Sequence, residues 1–221
     1  MSIHLQREIE KLKKHLLSLC AIVEEQVQMA VRALLERDQE LAQAVQQRDM
    51  EIDQREVVIE EECLKALALH QPVAVDLRFI VAVMKINNDL ERIGDLAVNI
   101  SRKAESVAGQ VYTDVVFDLP GMSEKTLAML RDSLDAMVHL DARLANEVCI
   151  RDDEIDRMKR EIRRQVEKLI QENPERTRPL LRFLAASRNL ERIADLTTNI
   201  AEDVIYMVEG KIVRHREAEI T

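Results

Sequence analysis

The sequence predicts an all-α protein with six main helices, arranged as two pseudo-repeated three-helix bundles. Three observations carry this. Gly and Pro number four each in 221 residues and aromatics make up 2%, with no Trp, so turn formers and strand formers are both scarce. Apolar residues recur every three or four positions over long stretches, the spacing of one helical face. The stretch Asp89-Leu-Glu-Arg-Ile-Gly-Asp-Leu-Ala-Val-Asn-Ile100 returns 100 positions later as Asn189-Leu-Glu-Arg-Ile-Ala-Asp-Leu-Thr-Thr-Asn-Ile200, with eight of twelve residues identical.

The elements follow in order. Leu5, Ile9, Leu12, Leu16, Leu19, Val23, Val27, Ala30 and Leu34 mark a first helix from about Ser2, an N-cap candidate, to Arg37. Asp38 and Asp49 both suit caps, so a short piece over 39–47 and a longer helix from Met50 to about His70 are expected. Gln71-Pro72 ends that helix, because Pro lacks a donor and biases its predecessor away from the α region. A third helix over about 73–107 carries the first signature. Residues 106–123 contain Gly109, Pro120 and Gly121 and lose the helical period, which reads as an inter-lobe linker. Ser123 then suits a cap, and Leu127, Leu130, Leu134, Met137, Leu140, Leu144 and Val148 share one stripe. Another helix is expected over 153–171, broken by Asn173-Pro174, and a last one over 177–209 carries the second signature, with Gly210 as its C-terminal stop. The domain reading is a first bundle over 1–107, a linker over 108–123 and a second bundle over 124–221.

The duplication reaches beyond the signature. Asp38 to Asp49 aligns without gaps to Asp141 to Asp152, and Ile52-Asp53 to Ile155-Asp156, at an offset of 103. Glu91, Asp95 and Asn99 lie four apart and so form one polar ridge, as do Glu191, Asp195 and Asn199. The alignment exposes a second acidic pair per lobe, Asp49 with Asp53 and Asp152 with Asp156. Like charges one turn apart cost roughly 0.2–0.5 kcal/mol per pair. Four such pairs at equivalent places imply a counter-charge. Arg or Lys side chains could supply it, Arg48, Arg92, Arg151 and Arg192 standing adjacent in sequence, and so could a partner. A metal ion could equally do so: four carboxylates and the Asn99 or Asn199 carbonyl would offer an all-oxygen set suited to Mg²⁺, Mn²⁺, Ca²⁺ or iron.

Other chemistry is not indicated. There is no Glu-x-x-His of the di-iron bundle type, no phosphate-binding Gly-rich loop, and no GxSxG or HExxH. The net charge of −9, without a long basic block, argues against nucleic acid as the main partner. Cys20, Cys63 and Cys149 stand singly inside helical patterns, as small core residues of a protein in a reducing compartment. No apolar run approaches the roughly 20 residues of a membrane span and no signal peptide is evident, so a cytoplasmic location is expected.

Both signatures, the helix start Gln71-Pro-Val-Ala-Val-Asp-Leu-Arg78 and the ending Asn199-Ile-Ala-Glu-Asp-Val-Ile-Tyr-Met-Val-Glu-Gly210 resemble the PhoU family of bacterial phosphate-uptake regulators. The resemblance covers nearly the whole chain. It implies two three-helix bundles and a non-enzymatic negative regulator of phosphate uptake and phosphate-starvation signalling. Such a protein docks on the ATPase of a phosphate ABC transporter and on a phosphate-sensing histidine kinase, and homodimerises. It also implies metal ions, Fe, Zn, Mg or Mn, at paired acidic motifs: Asp49, Asp53, Glu91 and Asp95 in one lobe, and Asp152, Asp156, Glu191 and Asp195 in the other. The alternative is a metal-dependent enzyme or metal store using the same carboxylates.

Overall fold

The computed structural model describes residues 3–106 and 117–210. Among them are six α-helices: α1 (Ile3–Glu36), α2 (Gln39–His70), α3 (Ala74–Glu105), α4 (Leu119–His139), α5 (Ala142–Glu172) and α6 (Thr177–Glu209). A single 3₁₀ turn, Pro174–Arg176, leads into α6. Helices α1, α2 and α3 pack on one another, as do α4, α5 and α6, and α3 lies against α6 where the halves meet.

The repeat written in the sequence is the repeat buried in the core. Val45, Ile52, Ile59 and Cys63 of α2 are buried, and so are their counterparts Val148, Ile155, Ile162 and Val166 of α5. Leu90, Ile93, Leu96 and Ile100 of α3 match Leu190, Ile193, Leu196 and Ile200 of α6 in the same way. Burying each such side chain is worth about 1.5–3 kcal/mol, so these stripes dominate the assembly of both halves. Gly94 permits a close approach of α2 to α3, since a Cβ there would stand 3.0 Å from Ile52 Cδ1.

Three local expectations are corrected. Asp49 caps nothing: α2 runs unbroken from Gln39, because Ala42, Val45 and Ile52 keep the helical period across it. Ser123 is buried inside α4, which starts four residues earlier; Asp118 Oδ1 accepts from Gly121 N (3.0 Å), and Pro120 sits in the first turn, where its missing donor costs nothing. Five residues assigned to the linker are therefore helical, while the rest of 108–123 lies mostly outside the described residues. The stripe drawn through Leu140, Leu144 and Val148 is broken at Leu140, which adopts a left-handed conformation (φ 54°) and ends α4.

That break has a twin. Arg37 is also left-handed (φ 59°), and each turn is followed by an Asp whose carboxylate accepts from the backbone three residues on, Asp38 from Leu41 N (2.9 Å) and Asp141 from Leu144 N (3.0 Å). Two positions of forced backbone, each closed by one cap, predict that Asp38→Ala and Asp141→Ala each lower unfolding stability by about 1 kcal/mol. Urea titration followed by circular dichroism measures both, and a loss at only one would break the equivalence of the two turns.

Candidate functional site

In the first half, α2 presents Asp49 and Asp53, and α3 presents Glu91 and Asp95, across the seam held by Ile52, Leu90 and Ile93. The four carboxylates share one electrostatic neighbourhood. Burial pushes the Asp49 carboxyl above its ordinary range, Asp53 and Asp95 push it further, and the Gln26 amide and Arg102 pull the other way. Glu91 is likewise raised, by burial first and then by Asp95, Asp53, Glu56 and Asp49. Glu56, the next turn of the α2 ridge, is raised by burial, Glu60 and Asp53.

Two buried amides border this cluster. Gln26, fully buried in α1, donates through Nε2 to the Val45 carbonyl (3.1 Å) and to Asp49 Oδ1 (3.4 Å). Asn87, also buried, donates through Nδ2 to the Glu56 carbonyl (2.8 Å) and to Glu56 Oε1 (3.4 Å). Gln26 Oε1 and Asn87 Oδ1 have no hydrogen-bond partner among the described residues.

In the second half, Asp152 and Asp156 of α5 face Glu191 and Asp195 of α6. Asp152 is pushed up to about 6, by burial and then by Asp195, Asp156, Asp153 and Glu191. Burial and the nearby Glu191 and Asp156 also raise Asp195, while Lys159 and Arg192 oppose them. Here a cation of the chain itself enters. Lys159 Nζ bridges the helices, paired with Glu191 Oε1 and 3.4 Å from Asp156 Oδ1; Arg160 Nη1 reaches the other Asp156 oxygen at 3.3 Å. Burial works against the Lys159 charge, but Glu191 and Asp156 hold its ammonium above the usual range.

The arginines considered as counter-charges mostly face elsewhere. Arg48 pairs with Glu25 (2.7 Å), Arg151 with Asp132, and Arg92 with Asp89 (3.2 Å). Asn99 and Asn199 are brought to a different place from the α2 and α5 acids. With Asp95, Asp195, Arg92 and Arg192 they line a cavity of about 240 Å³ between α3 and α6. Two pseudo-equivalent ridges thus meet at one inter-lobe groove. Among the described residues, no three His, Cys, Asp or Glu side chains are gathered closely enough to hold a metal ion as they stand. The carboxylates share a field, and closing on an ion requires their side chains to draw together.

The sequence reading missed Glu56, Lys159, Gln26 and Asn87. The first two were within its reach, since the gapless offset of 103 that paired Asp53 with Asp156 also pairs Glu56 with Lys159. The amides carry no motif.

Both halves match the family model of the PhoU domain, over residues 16–104 and 119–204. The chain is 41% identical over 213 residues to a phosphate-specific transport system accessory protein PhoU homolog of Pseudomonas putida, covering 94% of this chain and 82% of that one. It is 32% identical to the PhoU protein of Escherichia coli, over 94% and 86% of the two chains. The crystal structure of PhoU from Pseudomonas aeruginosa superposes with a TM-score of 0.87 at 38% identity, over 93% of this chain and 99% of the other. The regulatory protein PhoU of Streptococcus pneumoniae gives 0.87 at 29% identity.

The displaced carboxyl of Asp152 fixes the sign of a pH effect. Its folded value, about 6, lies above its ordinary 3.8, so the fold holds a proton that the unfolded chain has already released between those values. Stability from this group therefore falls as pH rises through about 4 to 6, and the penalty is full at neutral pH. In EDTA-treated protein, Asp152→Asn should raise the melting midpoint at pH 7.5 by about 2–4 °C, roughly 1 kcal/mol after allowance for its partial exposure. At pH 4 the variant and wild type should converge, and an unchanged midpoint at pH 7.5 would refute the assigned penalty.

Proposed function

This chain belongs to the PhoU family, and from that premise we propose that it is a non-enzymatic negative regulator of phosphate uptake and phosphate-starvation signalling. It docks on the ATPase of a phosphate transporter and on a sensor histidine kinase, and works as a homodimer. The observation that carries the reading is the doubled acidic ridge, set at equivalent places in two lobes that align over 94% of this chain with a phosphate-transport accessory protein.

The ridges supply a reason for a cation. Asp49, Asp53, Glu91 and Asp95 would hold it in the first lobe, with Asp152, Asp156, Glu191 and Asp195 in equivalent positions in the second. The donors are all oxygen, which fits a hard cation better than a soft one. Such an ion, when bound, supplies charge neutralisation between two helices that otherwise repel each other there. The chain's own part is to keep the acids half-buried, where each charge counts for more than it would in water. A partner that favours one arrangement of the lobes shifts their population, and whatever ties α2 to α3 or α5 to α6 changes the same balance. No helix among the described residues is long and apolar enough to cross a membrane, so contact with a transporter falls to surfaces of the bundle.

Expression in a bacterial strain lacking its own PhoU tests the proposal. With phosphate plentiful, the chain should silence a starvation-inducible reporter and co-purify with the transporter ATPase and the kinase. A reporter that stays on, with neither partner captured, would refute the regulatory reading. Light scattering of the purified chain checks the dimer.

A further inference from the structure

The two acidic ridges descend from one pattern but end differently. At offset 103, Glu56 of the first lobe stands where the second lobe has Lys159, and Gln26 stands where it has Met129. At offset 100, Asn87 stands where it has Ser187. The first lobe therefore sets five carboxylates along one seam, Asp49, Asp53, Glu56, Glu91 and Asp95, bordered by two buried amides that touch Asp49 and Glu56 and leave their carbonyl oxygens unpartnered. A buried carbonyl oxygen without a donor costs on the order of 1–3 kcal/mol, a debt that a cation or its bound water removes. In the second lobe the matching positions are spent otherwise. Met129 is buried as a hydrophobe, Ser187 Oγ donates to the Leu184 carbonyl (2.9 Å), and the Lys159 ammonium lies between Asp156 and Glu191.

Resting on the cation reading above, we propose that the two lobes are unequal cation sites: the first takes a divalent cation from solution, whereas the second carries its own in Lys159. An ion approaching Asp156 and Glu191 must displace an ammonium already paired with both, and Arg160 repels it from the far side of Asp156. An ion approaching Asp53 and Glu91 meets no ammonium bridging the two: Glu56 adds a fifth carboxylate there, and the cation of this lobe, Arg102, acts on Asp49. The lobes are thus one responsive site and one permanently closed clamp, and only the α2–α3 seam reports the cation.

Mn²⁺ titration of the EDTA-stripped full-length chain, read by calorimetry and by the electron paramagnetic resonance signal of free Mn²⁺, decides this. Wild type should show one tight saturable class. Asp53→Asn should abolish that class and Asp156→Asn should leave it intact. The reciprocal exchange is sharper: Lys159→Glu should open a second class within about tenfold of the first, and Glu56→Lys should close the first. Circular dichroism checks folding throughout, and the two Asn variants, nearly isosteric, stand in if a charge reversal fails to fold. Two equal classes in wild type, each losing one to Asp53→Asn or Asp156→Asn, would overturn the asymmetry while leaving the cation reading in place. An unchanged stoichiometry in folded Lys159→Glu would overturn the role of Lys159. No Mn²⁺ binding to wild type at millimolar concentration would remove the cation reading itself and this inference with it.

Discussion

Everything in this molecule turns on an apolar seam that forces like charges together. Ile52 and Ile59 of α2 and Leu90 and Ile93 of α3 are all buried where those helices pack, as are Ile155 and Ile162 of α5 and Leu190 and Ile193 of α6. The acids one position along each helix have no choice but to follow. A few tenths of a kcal/mol of repulsion per pair is small beside the burial of those side chains, so the bundle holds its carboxylates at a cost that packing easily covers. The cost does not vanish. Burial first, with that repulsion added to it, holds the carboxyls of Asp49, Glu91, Asp152 and Asp195 above their ordinary range.

The pseudo-symmetry is faithful in the core and loose at the surface, and the difference has a physical basis. Core positions answer to volume and to the distance between helices, so Val45 and Val148, or Ile52 and Ile155, are interchangeable in role. A half-exposed position can reverse its charge without disturbing packing, as Glu56 and Lys159 do. Duplication therefore preserves the frame while letting the two halves diverge in what they attract. The groove lined by Arg92, Asp95, Asn99, Arg192, Asp195 and Asn199 is where the two frames touch, and Asp95 and Asp195 belong both to a lobe's own ridge and to that shared surface.

Local signals were legible where they coincided with a change of period and misleading where they did not. Asp38 and Asp49 look equally like caps, but only Asp38 follows a left-handed residue; across Asp49 the buried stripe continues, and the helix with it. Pro120 and Gly121 look like breakers, yet a proline in the first turn gives up a donor that had no partner anyway. Leu140 gave no warning, having neither Gly nor Pro beside it; only the structure shows that it and Arg37 are equivalent left-handed turns.

The amino-acid order by itself determined the helical class, the doubling, the family and which acids share a helical face, because all of these follow from spacing along one chain. Tertiary structure alone decided which neighbours those acids face. Lys159 lies three residues from Asp156 on its own helix, but its pairing with Glu191 crosses from α5 to α6; Gln26 reaches Asp49 from α1; Asn99 and Asn199 turn to a groove between lobes. A helical period fixes direction around one axis. Where two axes cross, and which side chain then spans the gap, depends on the packing of every helix at once.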